Sequence, residues 1–239
     1  MSAKTRFWLV TLAALLACAV TASLGRWQLG RAAEKEALQA RIDAREQLPV
    51  LDALSLQGDV DTEPLLYRRV EAEGEWLAAR TVFLDNRPMN GRAGFYVVTP
   101  LRLRGSDAVL LVQRGWAPRD FQDRTRVPAV ATPAGVVRIS GHIVPAPSRL
   151  YELGEPGSGP IRQNLDVAQF RTETGLALAP VSIQQGGDAA DGLLRAWPKI
   201  STGVEKHYGY AFQWFGLSAL IAALYVWFQI VRRFKPRGG

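Results

Sequence analysis

Phe7-Trp8-Leu9-Val10-Thr11-Leu12-Ala13-Ala14-Leu15-Leu16-Ala17-Cys18-Ala19-Val20-Thr21-Ala22-Ser23-Leu24 is a run of eighteen residues without a charge, and residues 210–231 form a second uncharged run towards the other end of the chain. These two stretches decide the architecture. At a 1.5 Å rise per residue they make helices of about 27 and 33 Å, against a bilayer hydrocarbon core of about 30 Å. Only an α-helix satisfies every backbone group within one such segment. The sequence therefore predicts a membrane protein with transmembrane helices at 7–24 and 210–231 and a domain at 25–206 between them.

Bulk composition, at 48% hydrophobic and 21% charged, would suit any globular protein, so the information lies in where the charges fall. Lys4, Arg6, Arg232, Arg233, Lys235 and Arg237 occupy the short tails 1–6 and 232–239, which hold no acid. The rest of the chain carries 23 basic against 22 acidic residues. The pI of 9.9 is thus no sign of nucleic-acid binding, which needs a basic patch on the folded domain. It is a topology signal: basic flanks stay in the cytoplasm. Both termini are expected to be cytoplasmic and residues 25–206 periplasmic, in a multi-pass protein of the cell inner membrane surrounded by lipid.

Cys18, the only cysteine, lies in the first apolar run, so the exported domain has no disulfide, Cys-x-x-Cys or thiolate metal site. The first run has two rival readings, a cleaved signal peptide ending in small residues and a lipoprotein site at Leu15-Leu16-Ala17-Cys18. A retained anchor is preferred, because Gly25-Arg26-Trp27 then supplies the charge and aromatic ring expected at a membrane interface.

Residues 27–46, rich in Ala, Glu, Arg, Gln and Leu, predict a helix continuing out of the membrane, stopped before Pro49. Leu29, Ala33, Glu36, Ala40 and Asp43 give it only a modest contact face. Residues 48–64 read as a loop with at most one short turn. Strand patterns follow at 67–74, 81–85, 94–103, 108–114, 136–144 and 180–185. Val109-Leu110-Leu111-Val112 is continuously apolar, as in a strand covered on both sides. Asn90-Gly91 marks a hairpin reversal. A short helix is expected at 166–174, capped by Asp166 and ended by Gly175. Residues 153–160 and 186–192 read as loops. The expected fold class is α+β: a mainly antiparallel sheet or open barrel with a few helices, mounted on two membrane helices.

No phosphate loop, His-Glu-x-x-His or Gly-x-Ser-x-Gly elbow occurs, so nothing points to an enzyme. His142 sits in a strand pattern and reads as an ordinary surface or half-buried histidine. His207 precedes the second apolar run, and in a helix beginning early it shares a face with Ala211, Trp214 and Ser218. Such a face suits a flat apolar ligand with a metal. The alternative is that His207, Tyr208, Tyr210 and Trp214 are interfacial anchors. Gln213 is a candidate for bonding across to the first helix. Arg68, Arg69, Arg87, Arg92, Arg114 and Arg119 either pair with nearby acids or include a subset that binds carboxylates bidentately.

Several phrases, in order, resemble the surfeit locus protein 1 family of cytochrome c oxidase assembly factors. They are Leu24-Gly25-Arg26-Trp27-Gln28, Tyr67-Arg68-Arg69-Val70 with Gly74, Asn86-Arg87, Gly94-Phe95-Tyr96-Val97-Val98-Thr99-Pro100-Leu101, Leu111-Val112-Gln113-Arg114-Gly115-Trp116 with Pro118, and the run from Lys206-His207-Tyr208-Gly209-Tyr210 through Leu217. Gln113 departs from the asparagine expected before Arg-Gly-Trp. The resemblance implies a protein that matures the haem–copper core of a terminal oxidase, acting on oxidase subunit I alongside other oxidase assembly factors, with haem a as the group bound or passed on. It implies His207 as the iron ligand, with Arg26 and Lys206 as propionate partners and Trp27, Trp214 and Phe215 as flanking rings. A haem-independent chaperone for unfinished subunit I is the alternative, and an exported hydrolase a distant third.

Overall fold

The computed structural model describes residues 2–58, 60–123, 125–147, 157, 159–187, 191–198 and 203–232. The basic residues 233–239, most of the expected loop at 153–160 and the middle of that at 186–192 fall outside them. The chain divides into two compact units, residues 1–41 with 198–239, and residues 42–197.

In the first unit, helix α1 (Ala3–Glu46) is 44 residues long, its last turn belonging to the second unit. It runs unbroken for about 66 Å, more than twice the thickness of a hydrocarbon core. The expected helices at 7–24 and 27–46 are thus one element. Helix α3 (Val204–Tyr225) begins earlier than the apolar run and continues into a π-helical segment, Val226–Val231. Both are long and apolar enough to cross a membrane. A core helix of a soluble protein would be covered, yet only 6% and 0% of their apolar windows are buried. Leu12, Leu16, Val20, Phe212, Leu220 and Trp227 all lie exposed.

What α1 and α3 do cover repeats with a heptad's alternation of threes and fours. On α1 the positions that keep it are Thr11, Ala14, Cys18, Thr21, Gly25, Gln28, Ala32 and Lys35, with Phe7, Ala17, Ala22, Leu24, Leu38 and Gln39 also partly covered; on α3 they are Val204, His207, Ala211, Trp214, Ser218, Ile221 and Tyr225. This 3.5-residue period belongs to helices supercoiled about one another. The contact face expected at Leu29, Ala33, Glu36, Ala40 and Asp43 is wrong by one position: all five are exposed.

The second unit holds β1 (Leu51–Asp52), β2 (Arg69–Trp76), β3 (Val82–Leu84), β4 (Gly94–Leu103), β5 (Val109–Pro118), β6 (Val136–Val144), β7 (Ile161–Arg162), helix α2 (Val167–Thr174) and β8 (Leu178–Gln185). The expected strands at 94–103 and 136–144 are found at those limits. The 108–114 strand runs on to Pro118, because its bulge opposite Val97 and Val98 lets the ladder with β4 continue. Residues 48–64 are more ordered than a loop with one turn: β1 is followed by 3₁₀ turns at Ala53–Leu56 and Glu63–Leu65.

The sheet order is β1-β2-β6-β8-β5-β4-β3-β7, and β2 also pairs with β4, so five strands close into a barrel where a sheet or an open barrel was expected. Most pairings are antiparallel; β5–β8, β1–β2 and β3–β7 are parallel. Closure happens at Gly74, which faces Leu103 on β4, and a Cβ there would lie 2.2 Å from the Arg102 carbonyl oxygen. Only glycine lets the two backbones approach so closely.

Leu110 and Val112 of β5 enter the barrel core with Val70, Leu101, Ile143 and Ile183, while Val109 and Leu111 pack outside it with Val98, Phe170 and Leu178. The apolar run is therefore covered on both faces, as expected. Asn90 and Gly91 take φ values of +50° and +74° between paired Met89 and Arg92, the left-handed conformations of a tight hairpin tip. Helix α2 is capped by the Asp166 carboxylate, which accepts from the Gln169 amide at 3.0 Å, and ends on left-handed Gly175.

Candidate functional site

The resemblance places its candidate ligand on α3, and the structure shows what surrounds it. His207 is half-buried, and its Nδ1 stands 2.7 Å from the Gln28 Oε1 of α1. Below it, Ala211 is 2% exposed and Trp214 half-buried. The face shared by His207, Ala211, Trp214 and Ser218 exists as predicted, but it is the seam between the helices. Ser218 Oγ donates to the Cys18 carbonyl at 3.2 Å, and Cys18 Sγ approaches the Ser218 carbonyl at 3.5 Å. Nearer the other end, the Thr11 and Tyr225 hydroxyls bond at 2.8 Å. At Gly25 a Cβ would lie 2.9 Å from the Phe215 ring, so this glycine makes the notch that receives it.

The seam is therefore small and polar while its outside is apolar, the arrangement that favours helix pairing in lipid. Gln213 is exposed, and Gln28 is the amide that bonds across. Beyond the apolar run, the Tyr208 hydroxyl donates to Glu36 Oε1 at 2.9 Å. Arg26 and Lys206 are exposed and form no ion pair among the described residues. The Gln28–His207 bond puts them at about one level of the helix pair. Trp27 is exposed. Of the predicted site residues, then, His207 and Trp214 line the seam while Arg26, Lys206 and Trp27 stand outside it. His207 offers an imidazole engaged through Nδ1, with no bond to Nε2 among the described residues, a donor that could hold a metal through that second nitrogen. Among the described residues no cluster of three or more His, Cys, Asp or Glu could hold a metal ion on its own.

The arginines of the barrel are largely committed to their own fold. Arg114, 1% exposed, pairs with Asp191 at 3.2 Å, donates to Thr132 Oγ1 and the Ala131 carbonyl at 2.7 Å each, and stacks 4.7 Å above the Trp76 ring. Burial lowers its pKa and Asp191 opposes the shift. Arg119 pairs with Asp85. Arg87 donates to the Gln163 carbonyl at 3.0 Å, while Arg68 reaches Pro49 and Arg69 reaches Leu48. Arg92 lies over the Trp116 ring. Trp116 donates its indole N–H to the Arg87 carbonyl at 2.7 Å, and Gln113 donates to Ser182 at 2.8 Å. Gln113 thus ties β5 to β8. His142 is half-exposed, 3.7 Å from Glu46, in agreement with the surface reading.

The comparisons with known proteins meet this geometry over nearly its whole length. Residues 15–219, which include part of each helix of the seam and His207, match the profile described as SURF1 family. A SURF1-like protein of Rickettsia felis is 27% identical over 90% of this chain and 94% of its own length. Surfeit locus protein 1 of Mus musculus is 25% identical over 92% of this chain and 75% of its own, and that of Arabidopsis thaliana 30% identical over 47% and 35%. The SURF1 family is known generally as a family of cytochrome c oxidase assembly factors. The chain belongs to the SURF1 family, the one its motifs resembled.

Proposed function

We propose that this protein is an inner-membrane assembly factor for the haem–copper core of a cytochrome c oxidase, binding haem a and handing it to subunit I. The observation that carries the reading is the family match across residues 15–219, which reaches into both apolar helices and includes His207. The exposed apolar surface of the helix pair supports a lipid setting, and the neutral body of the chain against its basic tails supports cytoplasmic termini with a periplasmic barrel. In this reading haem a is cargo: His207 ligates its iron and the exposed cations Arg26 and Lys206 meet its propionates. Subunit I and other oxidase assembly factors are the partners.

Purification from cells that make haem a, followed by a visible spectrum, tests the proposal. His207→Ala leaves α3 apolar enough to insert, so the protein should reach the membrane with its haem much reduced. His142→Ala should keep a full spectrum. Haem that persists in His207→Ala and vanishes in His142→Ala would move the site into the barrel. If neither variant changes the spectrum, haem delivery through His207 is wrong, and a haem-independent chaperone of subunit I takes its place.

A further inference from the structure

We infer that Gln28 is the positioning residue for His207: its carboxamide oxygen holds the proton on Nδ1, so that Nε2 carries the lone pair and is the nitrogen offered to a metal. The inference rests on the haem-ligand reading of His207 for its use, but its physical content concerns this chain alone.

The argument begins with donor and acceptor inventories. A neutral imidazole carries one N–H and one lone pair, and the bond made by one nitrogen decides which role falls to the other. Here an amide oxygen, which only accepts, faces Nδ1 at 2.7 Å. Nδ1 must therefore donate. Among the described residues nothing bonds Nε2, so the ring is left with an unused lone pair on its far nitrogen.

The seam fixes this geometry. Gln28 and His207 come from different helices, 179 residues apart, and both fall on heptad positions. On one side Gly25 receives Phe215; on the other, Ala32 is 0% and Val204 8% exposed. Rotating the amide or the ring away would leave a polar atom in a half-buried position without a partner, which disfavours the move. Ligating histidines characteristically donate their second N–H to an outer acceptor, and losing that acceptor typically costs 10–100-fold in metal affinity. An amide fills the role without adding a charge. The neutral partner also lets the ligand bond remain weaker than a carboxylate would make it, as suits a group that is handed on.

The test uses the full chain in lipid nanodiscs. Because His142 is the only other histidine, a His142→Gln background leaves one imidazole, and ¹⁵N-histidine labelling reads its tautomer directly in haem-free protein. With the ring neutral, the parent should show the proton on Nδ1. Gln28→Leu should give a mixture of tautomers, and Gln28→Glu should restore the parent's. Titration with haemin is the second readout: Gln28→Leu should weaken binding about 10-fold or more, and Gln28→Glu should not. A proton on Nε2 in the parent, or a tautomer indifferent to Gln28→Leu, overturns the inference. So does a haemin affinity that responds to His207→Ala but not to Gln28→Leu. If His207→Ala binds haemin as well as the parent, the ligand reading of His207 fails, while the tautomer measurement still decides what Gln28 does to the ring.

Discussion

Replacing Asp191 by Leu takes the carboxylate away from the buried Arg114 guanidinium. Arg114 and Arg195 share this carboxylate at 3.2 and 2.6 Å, with side chains only 2% and 7% exposed. Removing one partner of a buried pair costs about 3–5 kcal/mol, because a charge is left uncompensated. Two features point to the low end. The Asp191 side chain is 14% exposed, so water reaches the vacated position, and Arg114 keeps its bonds to Thr132 and Ala131. The expected loss is about 3 kcal/mol, which lowers the midpoint of a domain of this size by about 6–12 °C. Arg114→Met is the informative contrast. Asp191 then stays paired with Arg195, so the ion pair, hydrogen bonds and contact with Trp76 that Arg114 made are lost without leaving a charge uncompensated, at about 1–2 kcal/mol. Urea unfolding of the full chain in nanodiscs, followed by tryptophan fluorescence and circular dichroism together, measures both variants and checks that the transition is single. If Asp191→Leu falls within about 1 kcal/mol of the parent, or if Arg114→Met is the more damaging, this carboxylate does not hold the guanidinium. Arg114 would then become a candidate for binding an external anion.

Three further outcomes are expected. Alkaline phosphatase fused after Gly187 should be active and the same enzyme fused after Gly239 silent; the opposite pattern would reverse the topology. Gly74→Ala should destabilise the barrel by at least about 2 kcal/mol, since its Cβ meets a backbone oxygen, and Gly30→Ala, in helix α1 with nothing within 4 Å, should be neutral or stabilising; limited proteolysis in the membrane separates them. Glu173, bonded by Arg162 at 2.5 and 2.8 Å, has its pKa lowered chiefly by that hydrogen bond. A lowered folded pKa contributes stability that is present above the unfolded value of about 4.3 and lost as pH falls through the folded one. Glu173→Gln should therefore be less stable than the parent near neutrality and lose less on acidification, read as unfolding midpoints down the acid limb.

The chain's strands and turns were legible where local chemistry repeats. β4 and β6 alternate over enough residues to reveal their limits, and Asp166 and Gly175 bracket α2 with the oxygen cap and left-handed stop that an isolated helix needs. β1 and β7 were missed because two residues carry no periodicity. Barrel closure was missed because its local mark is one glycine, Gly74, whose partner carbonyl lies on another strand. Asp191 gave no sign of its role either: it sits in a polar loop, and its partner Arg114 is 77 residues away.

The helix pair shows a different kind of failure. In water an apolar stripe marks the buried face; outside the apolar run residues 27–46 carry only a mixed one, which led to Leu29 and Ala33, one position off. In lipid the outside is apolar too, so hydrophobicity stops distinguishing the faces and small or hydrogen-bonding residues mark the inner one. Read for that signal, Thr11, Cys18, Thr21, Gly25 and Gln28 already keep the heptad spacing, and so do His207, Ala211, Trp214, Ser218 and Tyr225. His207 then stops being an isolated imidazole near a membrane surface. It is the polar member of a seam whose facing position is an amide. Under the proposed reading, that amide is what fixes which nitrogen the ring presents, and the tautomer measurement is the step that separates a presented ligand from an interfacial anchor.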